Sequence, residues 1–473
     1  MSYGDNLHYE KFADGSVKCI EDEIPFDLPE GWEWVRLGSV GDMTLGKMLD
    51  VTKNKGTLRP YLRNINVRWG AFELSDVLEM RFEDDELERY SIRHGDLVIC
   101  EGGEPGRCAV WQSEEVVFYQ KALHRVRAIE VLPEFLYYVI RHFIISNQYE
   151  RYYTGTTIKH LTGQSLRIIP IPLPPLNEQK LIVEHLQRII EEIDKIETEK
   201  TEALSLVSFA KSKILDLAIR GQLVPQDPDD EPASVLLERI RAEKEELIKQ
   251  GKIKRNKKET IIFRGEDNSY YVRQDTHMES IDEQFIFELP DNWEWCSLLN
   301  IAKIELGKTL DSAKNIGTNY PYLRSVNVRW NEVDLSDLKE MRFEPEELDR
   351  YTVRHNDLLI CEGGDVGRSC VWTDEKEILY QNALHRVRFY GGCNPFYFMY
   401  YMMYYESCGI IKALCKGVTI KHLTGNVLSL IPFALPPIEE QDRIVKRLNR
   451  IFVLLDSMPR ESNRRQCPLF CSL

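Results

Sequence analysis

Two arginines, an asparagine and a tryptophan crowd the short run PYLRNINVRW at residues 60–69, and the chain writes that run again as PYLRSVNVRW at 321–330. Arg63, Asn66 and Arg68 in the first copy match Arg324, Asn327 and Arg329 in the second, with Trp69 and Trp330 beside them. A guanidinium grips guanine with two hydrogen bonds and an asparagine amide does the same to adenine, so these types suit a DNA groove. On an alternating strand the same residues can instead face core and solvent in turn. A second repeated run, TIKHLTG at 157–163 and 419–425, sets Lys159 beside His160 and Lys421 beside His422. A Lys-His pair between threonines, closed by a glycine, suits a loop against backbone phosphate. Gly102, Gly103 and Arg107, with Gly363, Gly364 and Arg368, make a third pair. That turn carries a cation and is equally at home in a plain hairpin.

Patterns for catalysis are missing. GGEPGR at residues 102–107 has neither the lysine nor the spacing of a phosphate loop. There is no HExxH, no Cys/His zinc spacing and no G-x-S-x-G elbow. CNPFY at 393–397 lacks the second proline of an adenine-methyltransferase tetrapeptide and reads as a helix start. The residues predict a chain that binds rather than reacts, with no catalytic residues and no metal.

The elements that must position these groups are duplicated as well. Residues 28–127 align without a gap on 289–388, with about 57 of the 100 positions identical. A repeat this long is a domain, not a solenoid module. Runs such as DLVICEG and HRVRA read as strands, whereas residues 132–153 and the second-copy run PFYFMYYMMYYESCGIIKAL have helical apolar spacing. LPPLNEQ at 173–179 answers LPPIEEQ at 435–441, and its prolines stop one element before a helix begins. From Asn177, a capping type, to Gly221 no proline intervenes, which predicts one helix roughly 65 Å long at about 1.5 Å per residue. Leu186, Ile189, Ile193, Ile196, Ala203, Val207, Ala210, Ile214 and Leu217 step along it by threes and fours, a coiled-coil stripe. The second copy starts the same helix, with Ile444, Leu448, Ile451 and Leu455 on one face. Between the copies lies a linker with a charged helix and the basic run GKIKRNKK at 251–258, which reads as a solvated helix end ahead of a phosphate contact.

A chain of 473 residues suits two or more domains. No apolar run is long enough for a membrane span, and eleven scattered cysteines without a CxxC pair read as reduced thiols in a cytoplasmic protein. The formal charge of -15 argues against a nucleic-acid partner, although sequence readout needs only a local surface with the right donors.

A duplicated domain, each copy ending in LPP(L/I)xEQ and a helix, resembles the specificity subunit of type I restriction-modification systems. The LPxxWxW openings and GQLVPQDPDDEPAS after the first helix carry the resemblance further. It implies an α+β chain: two homologous mixed α/β target-recognition domains, at residues 1–173 and 255–435, separated by long antiparallel coiled-coil helices in a pseudo-two-fold arrangement. The helices would cover 174–222 and 436–457, with a linker at 223–254 and a divergent tail at 458–473. Each domain would read one half of a bipartite double-stranded DNA target. Two adenine-N6 methyltransferase subunits and restriction/translocase subunits would join the chain. S-adenosylmethionine, ATP and Mg would then sit on those partners, with none bound by this subunit. Near-copies predict similar, inverted half-sites, made imperfect where Arg59, Asn64 and Lys121 become Tyr320, Ser325 and Asn382. Similarity between the copies ends after Asp456, and Pro459 would stop the second helix there. That predicts an incomplete helix pair and weakened assembly. The competing reading is a duplicated ligand- or protein-binding scaffold on a helical strut, which the acidic charge favours.

Overall fold

The computed structural model describes residues 7–155, 159–255, 260–267, 269–274, 277–281, 287–311, 315–415 and 422–457. These fall into two compact units, within Met1–Thr198 and within Glu199–Glu461.

In the first unit a small hairpin of Tyr9–Lys11 and Val17–Cys19 is followed by β1 (Glu33–Arg36), β2 (Gly41–Leu45), β3 (Thr57–Leu62), β4 (Leu78–Phe82) and β5 (Ser91–Ile92). They are followed by β6 (Leu97–Cys100), β7 (Cys108–Val110), β8 (Val117–Tyr119) and β9 (Leu123–Ala128). Then come α1 (Pro133–Ile145), the short α2 (Gly163–Arg167), β10 (Pro170–Leu173) and α3 (Leu176–Ile219), which runs on past Thr198. One antiparallel sheet has the order β7-β6-β9-β2; a second has the order β4-β3-β8-β5, in which β3 and β8 are parallel. β10 pairs with β1, Leu173 opposite Glu33.

The unbroken apolar run LVIC has a simple cause. Leu97 and Ile99 face α1, in a core with Phe135, Leu136, Ile140 and Phe143. Val98 and Cys100 face the second sheet, beside Leu62, Val117 and Tyr119. A strand buried on both faces loses the alternation of a half-exposed one.

In the second unit the C-terminal part of α3 is followed by α4 (Ala233–Lys249), whose Leu236 and Ile240 enter the core. The domain pattern then repeats through β11 (Glu294–Ser297), β12 (Ala302–Leu306), β13 (Thr318–Leu323), β14 (Lys339–Phe343) and β15 (Thr352–Val353). It continues with β16 (Leu358–Cys361), β17 (Ser369–Val371), β18 (Ile378–Tyr380) and β19 (Leu384–Phe389). α5 (Pro395–Ser407), α6 (Gly425–Leu430), β20 (Pro432–Leu435) and α7 (Ile438–Ser457) close it. The sheets are β12-β19-β16-β17 and β14-β13-β18-β15, and β11 pairs with β20. β16 divides its side chains as β6 does: Leu358 and Ile360 join one core, Leu359 and Cys361 the other.

Helix lengths needed tertiary detail. The helical spacing over residues 132–153 gives a helix only to Ile145, after which Asn147 takes a left-handed φ of 58°. In the second copy Gly409, at φ 73°, splits the expected helix into Pro395–Ser407 and Ile410–Leu414. α3 is one helix of 44 residues and begins at Leu176, so Asn177 lies in its first turn instead of capping it. At the other end Gly221, at φ 69°, closes a left-handed cap: its N–H donates to Ala218, and the Gln222 N–H donates to Leu217.

The stripe along α3 is not a continuous packing face. Ile189 is 49% exposed and Ile196 63%, while Leu186, Ile193, Val207, Ile214 and Leu217 are partly buried. In the second unit α7 runs beside the C-terminal part of α3 in the opposite sense. Lys211 Nζ lies 2.6 Å from Asp456 near the end of α7, and Gln226, just past α3, donates to Glu440 at its start. Ile444 and Leu448 are fully buried there, and Ile451 and Leu455 partly. Among the described residues α7 has 20 residues against the 44 of α3. The tail at 458–473 lies outside the described residues.

A buried cation shows the two copies drifting in step. Arg125 and Arg386 are almost wholly buried on β9 and β19. Arg125 donates to Asp42 at 2.7 Å, whereas Arg386 pairs with Glu305. Asp42 aligns with Lys303 and Thr44 with Glu305, so the carboxylate has moved two residues along one strand and stayed on one face. Asp42→Ala should lower the stability of the first unit by about 1–2 kcal/mol, since a hydrogen bond to a charged group is lost at a partly exposed carboxylate. Adding Thr44→Glu should recover most of it, as read by the melting temperature of the single and double variants.

Candidate nucleic-acid interface

Four loops meet at one end of each domain's sheets, and main-chain hydrogen bonds tie them together. In the first unit Gln120 N–H donates to Leu62, Glu101 to Ala122, and Leu161 to Glu101. In the second Gln381 donates to Leu323, Glu362 to Ala383, and Leu423 to Glu362. The turn at 64–66, the Gly102–Gly103 turn, the segment around Lys121 and the strip at 159–161 are thereby held as one surface, and so are their counterparts.

Most of the candidate donors hold this surface up. Asn66 is 1% exposed; its Oδ1 accepts from Arg63 N–H at 2.9 Å, and its Nδ2 donates to the carbonyls of Glu73 and Asp76. Asn327 repeats every bond, to Arg324, Asp334 and Asp337. The expectation that these asparagines read adenine is therefore corrected: their amides are spent on the turn. Arg63 and Arg324 each reach the carbonyl and carboxylate of one aspartate, Asp76 or Asp337, at 2.7–2.8 Å. The guanidinium of Arg107 donates to Asn64 O at 2.9 Å and pairs with Glu104, and Arg368 does the same to Ser325 O and Asp365. The cation of the glycine turn positions residue 64 or 325 instead of offering its fork outward.

What remains on the surface is a smaller set. Arg68 is exposed, and so is Arg329, which is 3.1 Å from Asp334. His160 and His422 are exposed beside the first glycine of each turn; a Cβ on Gly102 would stand 2.9 Å from the His160 ring. Gly103, at φ 80°, passes so close to Asn64 that a Cβ would lie 2.9 Å from its amide nitrogen. Lys159 pairs with Glu150 at 2.6 Å and sits 5.7 Å from the Tyr153 ring centre. Lys421 lies outside the described residues, as do Thr157 and Ile158 before Lys159.

The positions that differ between copies fall into two groups. Asn64/Ser325 and Lys121/Asn382 lie on the loop surface; Lys121 N–H donates to Lys47 O, and Asn382 Nδ2 is 3.4 Å from Thr309 Oγ1. Arg59 does not join them. Its guanidinium stacks 5.5 Å from Phe118, and Tyr320 packs by Phe343 and Leu379, where Leu379 replaces Phe118. That exchange is matched packing, which corrects its place among the specificity positions.

Sequence reasoning missed two sets of residues that carry the surface. His124 and His385, the histidines of ALHRVR, are buried and donate Nε2–H to the carbonyls of Leu161 and Leu423, pinning the HLTG strip. Burial pushes both imidazoles below the ordinary value. Trp32 Nε1 donates to Glu178, and Gln179 joins Pro174 O to the Leu132 N–H; Trp293, Glu440 and Gln441 repeat this. For the histidines the sequence signal was repetition; the tryptophans and the Glu-Gln pairs also stand in the LPxxWxW and LPP(L/I)xEQ motifs.

The chain matches, over residues 29–206 and 290–463, the family described as type I restriction modification DNA specificity domain. It belongs to that family. It carries the family's domain twice, which decides for two DNA target-recognition domains against a generic duplicated scaffold. The type I restriction enzyme EcoAI specificity subunit of Escherichia coli is 24% identical, over 91% of this chain and 79% of that one. The EcoKI specificity subunit of E. coli strain K12 is 22% identical, over 92% and 85%. In fold, the chain is similar to the HsdS subunit from Thermoanaerobacter tengcongensis at a TM-score of 0.53, with 20% identity over 92% of each chain. A chain from a structural account of assembly and conformational transition in the type I R-M system gives 0.60, with 21% identity over 92% of this chain and 93% of that one. Among the described residues no helix is long and apolar enough to cross a membrane, and no group of three or more His, Cys, Asp or Glu could hold a metal ion.

Two outcomes follow from this geometry. Asn66→Ala strips the turn of three hydrogen bonds and should cost about 2–3 kcal/mol, because the Arg63 N–H loses its acceptor; calorimetry on the purified chain measures it. Because the folded imidazoles of His124 and His385 bind protons less readily than unfolded ones, the unfolded chain takes up more protons as pH falls through the ordinary histidine range. Stability is then full above that range and declines as pH drops through it. The decline in melting temperature should shrink when both histidines are replaced by glutamine.

Proposed function

We propose that this chain selects the DNA target of a type I restriction-modification complex, each domain reading one half of a bipartite site through its loop surface. The observation that carries the reading is the same surface built twice, on one hydrogen-bond skeleton, in a chain of this family. Identical supports with few surface exchanges favour two similar half-sites. The opposite sense of α7 and the adjoining part of α3 favours halves arranged as inverted repeats, as symmetric readers meet palindromes. The differences at Asn64/Ser325 and Lys121/Asn382 then make the repeats imperfect.

The chemistry belongs to partners in this reading. Two adenine-N6 methyltransferase subunits supply S-adenosylmethionine, and restriction/translocase subunits supply ATP and Mg, in the cytoplasm where the host DNA lies. The chain's acidic balance is consistent with most phosphate contacts coming from those partners.

Mapping N6-methyladenine across a genome that carries this system should return an interrupted motif with similar inverted halves. Two unrelated half-sites would overturn the inverted-repeat reading, and no methylated motif dependent on the chain would overturn the function. Asn64→Ser should shift only the half read by the first domain, by about 1–3 kcal/mol at one base pair, toward the sequence of the other half.

A further inference from the structure

One hydrogen-bond acceptor in the second unit is buried and unanswered. His385 is 1% exposed, and its Nε2–H is committed to Leu423 O at 2.8 Å, so Nδ1 must be the acceptor. No partner for Nδ1 occurs among the described residues. This histidine lines a cavity of about 670 Å³, within the size range of small-molecule sites.

The corresponding place in the first domain is built differently. There the exposed Arg167 donates from its guanidinium to Met43 O at 2.7 Å, close to His124. The aligned residue in the second domain is the buried Ser429, which turns back to Asn426 O and lines the cavity. Leu299, where the first domain has Gly38, and the partly buried Tyr390 supply apolar wall. The end of α4 and the residues after it close another side.

Charge is graded across this cavity. Its inner end offers acceptors, His385 Nδ1 and the partly buried Glu362. Its rim is cationic: Arg241, Lys252 and Lys254 are exposed there. Lys303 joins them where the first domain has Asp42, although its amine leans on Glu305 at 3.0 Å. Glu245, the acid at the rim, is already held by Arg255. A fitting ligand presents N–H donors at one end and an anion at the other, with a flat apolar body between.

We infer that the cavity between α4 and the second recognition domain binds a nucleoside phosphate whose base carries an amino group. The amine faces His385 and Glu362, and the phosphate faces Lys252 and Lys254. The first domain, with Arg167 and Asp42 where Ser429 and Lys303 stand, presents a different set of groups at the aligned place.

Titration calorimetry of the full chain with AMP, adenosine and inorganic phosphate tests this. AMP should bind at least about tenfold more tightly than either fragment, a difference of about 1.4 kcal/mol. Ser429→Arg, which sets the first domain's arginine into the cavity lining, should remove AMP binding without lowering the melting temperature. Should that variant not fold, Lys252→Glu with Lys254→Glu carries the test: AMP should weaken about tenfold and adenosine should not. No heat with AMP at millimolar concentration, or binding untouched by these changes, overturns the proposal. A non-target duplex serves as competitor. If it displaces AMP and Ser429→Arg weakens its retention equally, the cavity holds DNA backbone and the free-nucleotide assignment falls.

Discussion

The tie between each domain and the helix that follows it rests on two side chains of the LPPxxEQ motif. Glutamine (179 or 441) bridges the proline turn to the N-terminus of the domain's main helix, where an N–H would otherwise have no intrahelical partner. Glutamate (178 or 440) takes the indole N–H of the LPxxW tryptophan. One turn of helix is thus anchored to the start of the domain, to its end and to its core helix at once. A rigid rod conveys position only if its root does not swivel, and these bonds are the root.

Around that fixed frame the two copies have diverged by exchanges that keep the physics. The buried arginine of β9 or β19 keeps a carboxylate, supplied from different residues of the neighbouring strand. Arg59 over Phe118 becomes Tyr320 beside Leu379. Other exchanges are not compensated. Arg167 becomes Ser429 at the lining of a cavity, and Asn64 becomes Ser325 on the loop surface. Compensated changes mark where the fold is constrained; uncompensated ones mark where the copies have become free to differ in what they meet.

The division also bears on the acidic charge. Several arginines and lysines that look available in the sequence are neutralised within a few residues or across a strand: Arg63 by Asp76, Arg107 by Glu104, Lys47 by Glu86 and Lys159 by Glu150. The surface left to meet a target is therefore less cationic than a residue count suggests. Discrimination by shape and by a few polar groups suits such a surface better than attraction from a distance.

The duplication, a strand at LVIC, the span of α3 and its glycine cap were all legible in the sequence, whereas the burial of LVIC on both faces was not. Each depends on periodicity or on bonds between residues a few positions apart. The family resemblance was legible for the same reason, since its motifs sit at local turns and helix starts. Tertiary structure alone decided which donors are consumed: Asn66 bonds to Glu73 and Asp76, Arg107 to Asn64, and His124 to Leu161. It also decided that the stripe on α3 is covered only in part and that Ser429 lines a cavity. The donors named meet partners from 7 to 43 residues away, and no local pattern in the chain records which carbonyl or carboxylate a side chain will meet.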